Sequence, residues 1–195
     1  MDLFDRQITL AVNGWHTPFT DGFWCFFSAH ETSFLPGVAM LAFLFLRLGW
    51  KRALVATGAC LLTILLTDML ANVVKVSFER LRPCWDPDMM DAGLRVLEGK
   101  GHLYGFFSAH AANALGQATC SVHCLRSRPS HDAGVFAWTV FPLALLIGVS
   151  RVFVGKHYVG DVAAGFAAGL LVGWLVGLAA RRSLSSVPGR VDTRE

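Results

Sequence analysis

The chain has 195 residues, of which 54% are hydrophobic and 16% charged, and a mean hydropathy of +0.49. A soluble domain of this size has too much surface to be so apolar, so the composition points to an integral membrane protein. The formal net charge of +3 is small and gives no reason to invoke nucleic acid.

Residues 1–13 set Leu3, Phe4, Ile8, Leu10, Ala11 and Val12 among Asp2, Asp5, Arg6 and Gln7, the pattern of an interfacial amphipathic helix. Residues 21–29 hold a second, short aromatic run with Phe23, Trp24, Phe26 and Phe27. The two pieces are either one interrupted span or two helices near the surface. Asp2 and Asp5 argue against the basic start of a cleaved signal peptide. Apolar runs then follow at about 33–49, 53–74, 107–125, 134–150 and 157–180, each near the roughly 20 residues that cross about 30 Å of hydrocarbon as helix. They are too long and too rich in Leu, Ala and Gly for barrel strands. The expected fold is an all-α polytopic transmembrane bundle, with five clear spans and a sixth or interfacial helix at the N-terminus. Residues 1–182 form one domain, and the tail 183–195, Ser-rich and then charged, is expected to be disordered and cytoplasmic.

Charge orients the bundle. Arg47, Lys51, Arg52, Arg126, Arg128, Arg181, Arg182, Arg190 and Arg194, nine of the 17 Lys and Arg, fall in turns or tail on one face. That face is cytoplasmic by the positive-inside rule. The five cysteines form no zinc spacing and no disulfide framework; Cys25, Cys60, Cys120 and Cys124 read as small buried hydrophobes and Cys84 as free.

Three motifs interrupt the apolar pattern: Lys75-x6-Arg82-Pro83, Ser108-Ala109-His110, and Ser150-Arg151-x5-His157-x3-Asp161. Ionisable groups in such a chain have work to do or partners to satisfy. Alternation of the spans puts all three on one membrane face, opposite the basic turns. Ser108-Ala109-His110 sits where a loop enters a helix, so free backbone N–H groups and the positive dipole end point at a bound anion. His157 and Asp161, four apart, share a helix face, and the carboxylate there fixes the imidazole tautomer. Lys75, Arg82 and Arg151 are cations suited to phosphate oxygens, with Pro83 fixing the turn after Arg82.

These motifs resemble the three-part signature of the type 2 phosphatidic acid phosphatase superfamily, which also includes bacterial acid phosphatases and vanadium haloperoxidases. The resemblance covers 75–161, and the flanking spans look like its six-helix membrane branch. It implies that His157 attacks phosphorus to form a phosphohistidine, that Asp161 orients it, and that His110 protonates the leaving oxygen and then activates water. Lys75, Arg82, Ser108, Arg151 and the Ala109 amide would hold the phosphate oxygens, with no metal ion or other cofactor. The middle motif departs from the family's usual Pro-Ser-Gly-His, reading Phe107-Ser108-Ala109-His110. Alanine keeps the amide donor but disfavours a positive φ, so a loop needing that conformation would bind phosphate more weakly.

Other polar residues read more plainly. Asp68 and Asn72, one turn apart within a span, are interior groups that hydrogen-bond between helices. Arg80, Arg95, Lys100 and His102 either meet a second phosphate or belong to a solvated loop. His16, His30, His123 and His131 are structural. Gly165, Gly169, Gly173 and Gly177 form a small-residue stripe for close helix packing within the monomer first and a homodimer second. Trp15, Trp50 and Trp85 suit interfacial anchoring.

A site at the bundle's end beside lipid suits a phosphate head whose tail stays in the bilayer, and the 84–106 loop is long enough to cap it. Arg82-Pro83-Cys84 followed by Tyr104-Gly105-Phe106 is similar to bacterial family members acting on undecaprenyl diphosphate or lipid A. The expectation is a multi-pass phosphatase of the bacterial inner membrane with an extracytoplasmic site. The alternatives are a lipid phosphotransferase using the same phosphohistidine and a non-catalytic lipid-phosphate binder or flippase.

Overall fold

The computed structural model describes residues 2–29, 35–127 and 132–186. His30, His131, Arg128, Arg190 and Arg194, and the tail from 187 onward, lie outside the described residues. Among the described residues there are eight α-helices: α1 (Asp2–Asn13), α2 (Pro18–Ser28), α3 (Leu35–Leu48), α4 (Trp50–Phe78), α5 (Pro87–Asp91), α6 (Ala109–Leu125), α7 (Asp132–Phe153) and α8 (Val159–Ser186). A 3-10 turn spans Pro83–Trp85, and among the described residues there is no strand, only a bridge pairing Leu81 with Tyr104.

Helix α6 is the axis. Ser108 caps it, accepting a hydrogen bond from the Ala111 N–H, and its body is rich in alanine. Lipid supplies no hydrophobic drive between helices, so association rests on close van der Waals fit. The Gly165, Gly169, Gly173 and Gly177 stripe of α8 supplies that fit. A Cβ on Gly165 would stand 2.5 Å from the Ser108 carbonyl, and one on Gly169 or Gly173 would overlap the carbonyl of Ala112 or Gly116. The stripe is therefore buried within the chain against α6.

The two ends of the bundle differ. At the basic end, Met40 and Leu44 of α3, Ala56 and Cys60 of α4, Cys120 and Cys124 of α6, Phe136 of α7 and Leu184 of α8 form the main apolar core. Phe43 stacks on Phe136 at 4.8 Å, and Arg47 pairs with Asp132 at 3.2 Å. The opposite end buries Asp5, Thr9, Asn13, Arg82, Asp86, Ser108, Arg151, His157 and Asp161. In mid-bundle, Asn113 Nδ2 donates to Asp68 at 2.9 Å, and Thr67 hydrogen-bonds Asn113. This is the interhelical polar contact expected of Asp68, whereas Asn72 is exposed.

The span count needs correction. Among the described residues three helices, α4, α7 and α8, are long and apolar enough to cross a bilayer. The expected spans at 33–49 and 107–125 are α3, with 14 residues, and α6, with 17, about 21 and 26 Å long respectively. Helix α6 is so enclosed that its small side chains meet protein instead of lipid. Residues 2–28 hold two separate helices, the second started by a capping box on Thr17. Helix α8 continues to Ser186, past the expected end of the domain at 182. Trp15, Trp50 and Trp85 are all exposed, as anchors would be.

Candidate active site

The site grows from three helix ends and one loop. Helix α4 stops at Glu79, which takes the left-handed conformation (φ 47°) and donates its N–H to the Lys75 carbonyl. That turn swings Arg80 and Arg82 back over the bundle. The 84–106 loop then returns alongside: Arg82 N–H donates to Leu103 O at 3.0 Å and Gly105 N–H to Arg80 O at 2.9 Å. Arg82 Nε adds a bond to Tyr104 O at 3.2 Å, so the guanidinium is gripped by backbone. Gly105 fits closely here, because a Cβ would stand 2.9 Å from Arg82 Cγ and 3.0 Å from Asp161 Oδ2 and displace one of them.

Arg151, on the last turn of α7, is buried. Its Nη1 donates to the Ser28 carbonyl at 2.7 Å and to the Ser28 hydroxyl. Glu98 of the loop comes within 3.7 Å of the same nitrogen and takes Lys156 Nζ at 2.6 Å. Asp161, in the first turn of α8, is fully enclosed. Its Oδ2 accepts from Tyr158 N–H at 3.1 Å, its Oδ1 from Arg80 at 2.8 Å, and its carbonyl from Ser108 N–H at 3.0 Å. The last bond ties the second motif to the third.

His157 lies between these pieces, 2% exposed. Its Nδ1 stands 3.4 Å from the Asp161 carboxylate oxygen Oδ2, too long for a hydrogen bond, and the backbone of Gly105 also meets the ring. Catalytic hydrogen bonds often tighten only once substrate is bound. Nδ1 thus faces the carboxylate. Burial, followed by the positive charges of Arg151, Arg82 and Lys75, holds the imidazole well below its ordinary range. The ring is thus held in its neutral form at neutral pH.

The structure brings Lys75, Arg82, Arg151, His157 and Asp161 into one electrostatic neighbourhood, with Ser108 and Ala109 joined through the α6 N-terminus. His110, one residue further, is half-buried and borders a cleft of about 380 Å³ between α3, α4, α6 and α7. Met40, Leu41, Ile64, Leu143 and Ile147 line the cleft, Asn113 and Gln117 add two polar groups, and Val38 and Leu61 carry it to the outer surface.

Ala109 is the first residue of a regular right-handed helix, and among the described residues Glu79 is the one non-glycine with positive φ. The replacement of glycine therefore asks nothing unusual of the backbone. Phe107 is buried beside Ala71 and Ala112, so it serves packing. Two of the loop cations already have carboxylate partners: Arg95 is clamped by Asp21, and Arg80 lies between Asp5 and Asp161. Lys100 sits over the Trp85 ring at 4.8 Å, and His102 is exposed. Asp5, Ser28 and Glu98 were missed by the sequence reading. The polar stripe Asp5–Thr9–Asn13, at a spacing of four, was the available signal for the first.

Comparisons with known proteins place the chain in a family. The family model described as PAP2 superfamily matches residues 56–184. The lipid A 4'-phosphatase of Porphyromonas gingivalis is 34% identical over 173 residues, 88% of this chain and 71% of that protein. The phosphatidylglycerophosphatase B of Bacillus subtilis is 33% identical over 61% of this chain and 56% of its own length. The crystal structure of the transmembrane PAP2-type phosphatidylglycerolphosphate phosphatase from Bacillus subtilis aligns at a TM-score of 0.69 with 25% identity, over 88% of this chain and 82% of that one. Aquifex aeolicus LpxE shares the fold at a TM-score of 0.62 and 21% identity, over 90% and 93% of the two chains. The chain belongs to the PAP2 superfamily, in its branch of membrane lipid phosphatases.

Proposed function

We propose that the chain removes a terminal phosphate from a bilayer-anchored lipid by way of a phosphohistidine on His157. The observation that carries this reading is the setting of His157: a nearly sealed neutral imidazole, backed by Asp161 and faced by Lys75, Arg82 and Arg151. Nε2 attacks phosphorus, the bond to the lipid oxygen breaks, and His110 gives that oxygen its proton. Water then attacks the phosphohistidine, the N–P bond breaks, and His110 takes the proton back. The three cations, the Ser108 hydroxyl and the Ala109 amide hold the phosphoryl oxygens, where charge gathers in the transition state. The fixed positive charge serves where other phosphatases place a metal ion.

The cleft beside His110 supports a lipid substrate, since it gives an apolar tail a path from His110 to the outer surface at Val38 and Leu61. Lipid A-type phosphates are the favoured heads, supported by the similarity to proteins named lipid A 4'-phosphatase. Undecaprenyl diphosphate is the next candidate. The proposed setting is the inner membrane, with the site on the extracytoplasmic face, supported by the basic residues at the other end of the bundle. The test is inorganic phosphate release by detergent-purified protein, with EDTA present, from lipid A, undecaprenyl diphosphate and phosphatidylglycerophosphate. Release from lipid A that disappears in His157→Ala supports the proposal. Preference for another lipid reassigns the substrate, and release that needs an added divalent ion overturns the metal-free mechanism.

A further inference from the structure

Helix α1 turns its polar stripe inward. Asp5, Thr9 and Asn13 are buried, while Leu3 and Phe4 are 73% and 71% exposed. The stripe ends on the segment that carries His157. Thr9 Oγ1 accepts from Val159 N–H at 3.1 Å, and Asp5 Oδ1 from Gly160 N–H at 2.8 Å. These are the first two N–H groups of α8, donors that a helix cannot satisfy by itself. Asn13 Nδ2 bonds the carbonyls of Phe153 at 2.8 Å and Arg95 at 2.9 Å, fastening the other side of the same loop.

Arg80 makes the second connection. Its Nη1 donates to Asp161 Oδ1 at 2.8 Å and its Nη2 to Asp5 Oδ2 at 2.7 Å, with the guanidinium 4.2 Å from the Tyr158 ring centroid. The Tyr158 hydroxyl donates to Asp86 at 2.6 Å, which Arg6 of α1 also meets at 2.7 Å. Both oxygens of Asp161 are thus hydrogen-bonded, Oδ2 by Tyr158 N–H and Oδ1 by Arg80, and Oδ2 also faces the His157 ring at 3.4 Å. The rotation of the carboxylate is set by a chain that starts on α1.

We infer that Asp5 and Arg80 are positioning residues for phosphoryl transfer. They hold the first turn of α8 and the Asp161 carboxylate in the orientation that aims His157, which makes α1 part of the active-site apparatus. The inference rests on the roles proposed above for His157 and Asp161. Steady-state phosphate release from lipid A by the full chain in detergent tests it, using Asp5→Asn, Arg80→Gln, Arg80→Lys and the Asp5→Asn/Arg80→Gln double variant beside wild type and His157→Ala.

Arg80→Gln is expected to lower kcat by about ten- to a hundredfold with KM within about twofold, the pattern of lost transition-state alignment. Arg80→Lys should recover part of the loss, and Asp5→Asn should cost about three- to tenfold. The double variant should be no more than about twofold slower than Arg80→Gln, because the two residues act through one chain. Losses that multiply, a KM that rises as kcat falls, or wild-type rates in both single variants overturn the inference. So does a fall in kcat that tracks a lowered thermal midpoint, which is all a structural role would give. In each of those cases wild type still releases phosphate and His157→Ala does not. Absence of release by wild type would instead overturn the reading beneath it.

Discussion

Replacing Gly169 by alanine adds one methyl group where α8 touches the backbone of α6. The added Cβ would overlap the Ala112 carbonyl, with the Ala112 Cα also in contact. No side chain can rotate away, since the obstacle is main chain, so the two helices must separate. Overpacking of this kind costs about 1–3 kcal/mol. For a chain of this length that is a fall of roughly 2–12 °C in thermal midpoint. The functional effect should be larger than the thermal one. One turn from the contact, Ser108 opens α6 and donates its N–H to the Asp161 carbonyl, and His110 follows on the same turn. A misplacement of about 1 Å between such groups costs on the order of a hundredfold in rate. Phosphate release by purified Gly169→Ala should therefore fall at least about tenfold at temperatures well below its midpoint. Gly58→Ala is the control, because a Cβ there meets nothing within 4 Å, and it should be neutral or stabilise by about 0.5–1 kcal/mol. A Gly169→Ala protein with wild-type midpoint and rate would refute the claim that this stripe sets the distance between the two halves of the site.

The buried neutral state of His157 makes stability depend on pH. Below about pH 6.5 the unfolded chain binds a proton there that the folded chain refuses, so stability is lost as pH falls from that point toward the depressed folded value. The slope reaches at most about 1.4 kcal/mol per pH unit, and the thermal midpoint of His157→Ala should fall less steeply over that window than that of wild type. Parallel slopes would contradict a neutral, buried imidazole. Ala109→Gly, which restores the family's usual residue, should leave phosphate release within about twofold and cost no more than about 1 kcal/mol, since position 109 is already helical. A large gain in rate from that change would show that the alanine does constrain phosphate binding.

Much of the site could be read before the structure, because its residues break an apolar background. Lys75, Arg82, His157 and Asp161 stand out where each charge needs a reason, and alternation of spans sends them to one end. The glycine stripe was readable for the same kind of cause, a spacing of four with one physical use. Helix α1 was harder. Its apolar residues suggested a helix lying on the bilayer, and the exposure of Leu3 and Phe4 agrees with that. Yet its neighbour is a polar loop in place of a hydrocarbon core, so Asp5, Thr9 and Asn13 became the buried face. The partners of Arg80 and Arg151 were unreadable because Asp5 and Ser28 are 75 and 123 residues away, joined to them only by the folded loop. Hydropathy overcounted the spans at α6, since an alanine-rich run has the same index whether its neighbours are lipid tails or the glycines of α8.

The central claim is that His157 carries the phosphoryl group. Acid-labile, base-stable phosphate is the chemical mark of a phosphorus–nitrogen bond, so the direct measurement is rapid quenching of wild type with lipid A bearing radiolabelled phosphate, followed by peptide mapping. The account predicts base-stable label on the peptide holding His157, formed no slower than free phosphate appears and absent from His157→Ala. Phosphate release without label on that peptide, or label that persists in His157→Ala, would contradict it.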